Sequence, residues 1–173
     1  MEAKTSISCL RNLFDEDMRA FISAEAELKQ SISGWKKNDL SMPFMVLLED
    51  YHDNIETHMD RLNRVFVLEH IISAAIANSV MKALIEETNA KLNLCKYPEV
   101  KEACLLGALQ KIIHVKISAY GTAASFANTL GLKDEAVLLH QCVEDEKDFD
   151  SSFSHIARNN SNEKAIEPLS QLD

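Results

Sequence analysis

Glycine and proline are scarce in this chain, 4 and 3 among 173 residues. So little turn chemistry does not suit a many-stranded sheet, and the dominance of alanine, leucine and charged residues predicts an all-helical protein. Basic residues are also in short supply, 18 against 27 acids, for a formal charge of -9. A nucleic-acid backbone needs a basic face, so nucleic acid is not expected as a partner. The four cysteines, Cys9, Cys95, Cys104 and Cys142, include no C-x-x-C pair. That argues against a zinc knuckle or a disulfide framework and for a reducing cytoplasm. Cys104 and Cys142 fall within helical patterns and read as small hydrophobes. No apolar run approaches the ~18 residues needed to cross a bilayer, so no membrane association is expected. The opening MEAKTSISCLRNLFDEDM is interrupted by charge too early for a secretory segment. No glycine-rich loop cradles a phosphate, and no serine or cysteine has an evident base beside it.

What the chain does have is helical periodicity. A first helix over about 8–34 carries Phe14, Met18, Phe21, Glu25, Leu28, Ile32 and Trp35 on one stripe. A second begins near Ser41, with Pro43 in a tolerated first-turn position, and carries Phe44, Leu48, Tyr51, Ile55, Met59, Leu62 and Phe66. A less regular third helix, about 70–92, holds the small residues Ser73, Ala74, Ala75 and Ala77, which suit close packing as a cover. The fourth, about 99–130, carries Leu106, Leu109, Ile113, Ile117, Tyr120, Ala124 and Ala127, with His114 and Lys116 beside the stripe. Gly131 permits a reversal into a fifth helix over about 134–159. Helices of 25 to 30 residues span ~40 Å, a length that suits bundle members. One domain over 1–160 is expected, followed by a polar tail over 161–173 that frays.

The fifth helix poses the functional question. Leu139, Cys142, Phe149, Phe153 and Ile156 mark its seam, and Glu146 fills the remaining step of the 3-4 rhythm. Glu25 holds an equivalent place in the first helix. A carboxylate on a buried seam is expensive unless a cation or a proton meets it. The candidate compensators are a metal ion, a buried lysine or arginine, or a bound proton. Beside the second stripe stand Glu49, His52, Asp53, Glu56 and His58. Glu49 and His52 form an E-x-x-H, the i, i+3 spacing that aims two ligands at one metal. His140 and His155 have no acid in ligand register and read as surface residues.

Helices four and five also carry a resemblance. QKIIHVKISAYGTAASFANTLGL and VEDEKDFDSSFSHIA are similar to the corresponding segments of the YciF/YciE-like ferritin-like family of bacterial stress-associated bundles. Gln110, Lys111, His114, Ile117, Tyr120, Gly121, Thr122, Leu130, Gly131, Leu132, Glu146 and Lys147 carry it. SAEAEL around Glu25 is similar to the first helix of the family, and His58, Arg61, Leu62, Val65 and Phe66 to the second. The resemblance implies a ferritin-like antiparallel four-helix bundle with one extra covering helix, and a homodimer. It also implies a site for two iron or manganese ions, built from two single glutamates and two E-x-x-H pairs. Glu25, Glu49, His52, Asp53, Glu56, His114 and Glu146 are the ligands it would draw on.

The chain departs from the family where it matters. Ile113 and Lys116 stand where the fourth helix usually has glutamates, and the segment around Ala75, Ile76, Ala77 and Asn78 lacks the acid of the covering helix. A hard cation wants several oxygen ligands. Lys116 then has two readings, a substitute for metal charge that neutralises Glu25 or Glu146, or a lysine snorkelling from the helix edge. Three functions follow as expectations. The first is a stress-associated bundle with a degenerate di-metal site, non-catalytic or weakly metal-binding. The second is a di-iron or di-manganese oxidase or peroxide-detoxifying enzyme, and the third an acidic interaction scaffold.

Overall fold

The computed structural model describes residues 6–71 and 76–166, and every element in them is helical. Five long helices account for most of the chain: α1 (Leu10–Trp35), α2 (Met42–Glu69), α3 (Ser79–Leu94), α4 (Pro98–Thr129) and α5 (Lys133–Ile156). A π-helical turn, Ala157–Ser161, and a short α6, Asn162–Lys164, follow. No helix among the described residues is long and apolar enough to cross a membrane.

Side-chain ties at the helix ends fix the directions. Arg11 in the first turn of α1 reaches the last residue of α2, with Nη1 2.5 Å from Glu69 Oε2 and Nη2 donating to the Glu69 carbonyl at 3.0 Å. These two helices are therefore antiparallel. Glu102 in the second turn of α4 accepts from the Ser41 backbone N–H and hydroxyl, at 2.6 and 2.9 Å, just ahead of α2. So α2 and α4 start at the same end, and α1 and α5 run the other way. The bundle closes in the order α1, α2, α5, α4. α3 covers it, laid against α1 and α4, and the Trp35 indole donates to Asn89 at 2.8 Å.

Local signals explain the boundaries. Pro43 and Pro98 sit in the first turns of α2 and α4, where the missing N–H costs nothing. Gly131, at φ 79, makes the tight reversal between α4 and α5, and the Leu132 N–H reaches back to the Ala127 carbonyl at 2.9 Å. The third helix differs from its sequence reading. α2 ends at Glu69, with His70 in the left-handed region at φ 52, and α3 begins only at Ser79. The Asn78 side chain accepts from the Met81 N–H, and this cap sets the later start. Ser73, Ala74 and Ala75, expected to pack that helix closely, lie outside the described residues. At the other end, Ser161 is buried and donates to Glu102, so the expected polar tail begins with an anchored residue. Residues 167–173 lie outside the described part.

The apolar core divides into two clusters, with Ile117 packed against both. One cluster, with Leu28, Ile32, Trp35, Phe44, Leu48, Leu105, Leu109 and Phe153, fills the end where α2 and α4 start. A second, with Phe14, Met18, Leu62, Val65, Ala123, Ala127 and Leu139, fills the opposite end. Between them lies a layer of charged and polar side chains.

Candidate functional site

Four helices each send ionisable groups into that layer. α1 supplies Glu25, α2 supplies Tyr51 and His58, α4 supplies Lys116 and Tyr120, and α5 supplies Glu146. All six are buried. Glu25 is 2% exposed, Lys116 4%, and His58 and Glu146 not at all.

The lysine is central. Lys116 Nζ stands 3.0 Å from Glu25 Oε2 and 2.6 Å from Glu146 Oε1, so one ammonium bridges the two seam carboxylates. Each glutamate also has its own tyrosine. Tyr120 donates to Glu25 Oε1 at 2.5 Å, and Tyr51 donates to Glu146 Oε2 at 2.9 Å. Lys116 lies a further 3.3 Å from the Tyr51 hydroxyl and 5.1 Å from its ring centroid, adding a cation–π contact.

His58 completes the layer and connects it outward. Its Nδ1 is 3.6 Å from Glu25 Oε1 and 3.4 Å from Glu146 Oε1. Its Nε2 faces the Asn54 amide at 3.0 Å and Asp145 Oδ2 at 3.3 Å. Asp145 is half-buried and is gripped by Arg61, whose guanidinium also donates to the Cys142 sulfur at 3.8 Å. A chain of titratable groups thus runs from Glu146 through His58 to the rim.

The charges do not balance with the ammonium alone. Two buried carboxylates meet one lysine, and in a low dielectric the second negative charge is costly without a further proton. Glu25 Oε2, Glu146 Oε1 and His58 Nδ1 all lack a well-aligned hydrogen-bond partner. The two acids are pulled apart as a result. Burial pushes Glu25 up, but the Lys116 charge, His58 and the Tyr120 hydroxyl outweigh it and hold its carboxyl at about 2. For Glu146, burial and the neighbouring Glu25 charge prevail over Lys116, and its carboxyl is raised. Burial works against the Lys116 charge, yet the two glutamates win and lift the ammonium well above its ordinary range. Both tyrosine hydroxyls are driven up by burial and by adjacent carboxylates, so they stay protonated as donors.

Of the ligands expected from the resemblance, Glu25 and Glu146 are together here and the other five are elsewhere. Glu49 lies on the outer face of α2 beside Lys36 at 3.3 Å, and Glu56 beside Lys29 at 2.8 Å. His52 contacts the Ser33 hydroxyl at 3.2 Å and Asp53 at 3.3 Å, and Asp53 itself is exposed. His114 points outward toward Asp150 at 3.3 Å and is two-thirds exposed. The E-x-x-H of Glu49 and His52 therefore does not face the bundle interior. Among the described residues, no group of three or more histidine, cysteine, aspartate and glutamate side chains is arranged to hold a metal ion. Lys116 also carries only donors and a positive charge between the two acids. The residues present do not fit a di-metal centre.

Sequence reasoning missed the part played by His58. The apolar stripe of α2 placed Met59 on the seam, and both 3-4 and 4-3 steps connect Ile55 to Leu62. The structure buries His58 and leaves Met59 partly covered. Hydropathy favours methionine over histidine, and only the acids arriving from α1 and α5 reverse that preference.

Comparison with known proteins agrees with this architecture. Residues 9–166 match the family model described as Domain of unknown function (DUF892). The chain belongs to that family. Protein YciF of Escherichia coli strain K12 is 34% identical over 148 residues, covering 83% of this chain and 87% of YciF. The crystal structure of the E. coli stress protein YciF superposes with a TM-score of 0.84 at 25% identity, covering 90% of this chain and 99% of that one. YcfI from Rhodopseudomonas palustris, described as a candidate structural protein, superposes with a TM-score of 0.84 at 18% identity. It covers 88% of this chain and 97% of its own, and at that identity it speaks to the fold alone.

Proposed function

We propose that this chain is a ferritin-like, stress-associated bundle in which a lysine stands where a metal's charge would be, making it a non-catalytic, structural member of its family. The observation that supports this reading is the place of Lys116 Nζ, 3.0 Å from Glu25 and 2.6 Å from Glu146. An ammonium there bridges both acids and repels a divalent cation from the same point. The description of YciF as a stress protein supports the cellular setting. Val80 and Leu94 remain exposed on the covering helix, and we assign a homodimer to that face. Light scattering on the purified chain, and on Leu94→Glu, checks the dimer: the variant is expected to be monomeric.

The test of the main reading is metal content. The chain is produced with iron and manganese supplied, purified without chelators, and measured by elemental analysis. Well under one ion per ten chains is expected. Close to two ions per chain would overturn the reading and favour the oxidase alternative, sending attention to ferrous-ion oxidation and peroxide consumption. Lys116→Glu provides the counterpart: removing the cation and adding an acid is expected to raise metal uptake relative to the natural chain.

A further inference from the structure

Two of the four cysteines meet at the junction between the covering helix and the bundle. Cys95 caps the C-terminus of α3, and its thiol donates to the Lys91 carbonyl at 3.2 Å. Cys104 lies on α4, partly buried against the core, and interacts thiol to thiol with Cys95. Only the turn at Lys96 and Tyr97 and the first turns of α4 separate them in the chain. Both thiols are reduced and both are only partly buried.

Their surroundings are suited to thiol chemistry. Cys104 forms part of the wall of a cleft of about 190 Å³ between α3 and α4, which Thr88, Lys91, Gly107 and Lys111 also line. Lys91 and Lys111 stand beside Cys104 in this cleft, where their charges oppose without overcoming the burial that raises its thiol, and Glu87 ties them into one ion-pair group. The other two cysteines have no such arrangement. Cys9 is exposed ahead of α1, and Cys142 is buried beside Arg61 with its thiol pushed up to about 12 by burial.

We propose that Cys95 and Cys104 form a reversible dithiol–disulfide couple, oxidised by a peroxide, which clips the end of α3 to α4. The Cys95 thiolate attacks one peroxide oxygen, the O–O bond breaks, and the alcohol or water leaves after taking up a proton. Cys95 is then a sulfenic acid. The Cys104 sulfur attacks the Cys95 sulfur, the S–O bond breaks, and water departs with the Cys104 proton. Two thiols are oxidised and one peroxide is reduced, so the electrons balance. Burial and the neighbouring Cys95 raise the Cys104 thiol, which suits it to the second, resolving role. A low-molecular-weight thiol restores the reduced pair by exchange.

The experiment uses the full chain, reduced, desalted and treated with one to two equivalents of hydrogen peroxide. Intact mass is expected to fall by two hydrogens. Tryptic mapping is expected to join the peptide containing Cys95 (92–96) to the one containing Cys104 (102–111), and dithiothreitol should separate them. In Cys104→Ser, Cys95 is expected to stop at a sulfenic acid captured by a dimedone probe. In Cys95→Ser, oxidation of Cys104 at the same dose should slow at least ten-fold. Far-UV circular dichroism confirms that both variants keep their helix content. Separate over-oxidation of the two thiols in the natural chain, or linkage only through Cys9 between copies, would overturn the proposal.

Discussion

Lys116 is the residue whose removal should matter most. Breaking a buried ion pair by deleting one partner costs about 3–5 kcal/mol, because the remaining charge stays desolvated and alone. Lys116→Met is expected to lose that much in urea unfolding at neutral pH. Adding Glu25→Gln and Glu146→Gln to the same chain should recover most of it, since no charge is then left uncompensated. The two glutamates should also respond oppositely to pH. Glu25 is held at about 2, so its contribution is present above the ordinary carboxylate value and is lost as pH falls toward 2. Glu146 is raised, so the folded chain keeps a proton the unfolded chain has released, and stability falls as pH climbs through that interval. The two contributions therefore oppose each other, Glu25 adding stability as pH rises toward the ordinary carboxylate value and Glu146 removing it above that value. Glu146→Gln is expected to flatten the fall above the ordinary carboxylate value, and Glu25→Gln to reduce the rise below it. Both limbs can be read from denaturant midpoints across the pH range.

At the scale of the helix, the strongest lever is the end of α2. His70 occupies the left-handed region at φ 52 and is exposed. A side chain there is strained where glycine is not. His70→Gly is therefore expected to gain about 0.5–1 kcal/mol, seen as a rise in Tm, although it removes a side chain. Asn78 is the converse case: Asn78→Ala deletes the cap on Met81 and should cost about 1 kcal/mol. The helices themselves were largely legible in the sequence, because Pro43, Pro98 and Gly131 punctuate a periodic chain. The seam acids Glu25 and Glu146 were legible too, since each interrupts an apolar rhythm on its own helix. His58, Tyr51 and Tyr120 as hydrogen-bonding members of one layer were not. Their roles depend on partners carried by other helices, and no periodicity within one helix carries that information. The E-x-x-H at Glu49 and His52 is the reverse case, a ligand spacing that is correct locally but carried on a face of α2 turned away from the interior.

For the whole molecule, the decisive feature is that the charged layer interrupts the core. Two apolar compartments lie at opposite ends of the bundle, and apolar packing specifies helix register less strictly than paired charges do. Shifting any one helix by a turn, ~5.4 Å, would carry a glutamate, a lysine or an imidazole into hydrocarbon and strip its partners. The six side chains thus act as a registration key for four helices at once. A variant with Lys116→Met, Glu25→Gln and Glu146→Gln is expected to retain its helix content and yet show duplicated methyl resonances in both compartments. Such a chain would have kept its stability and lost its single alignment.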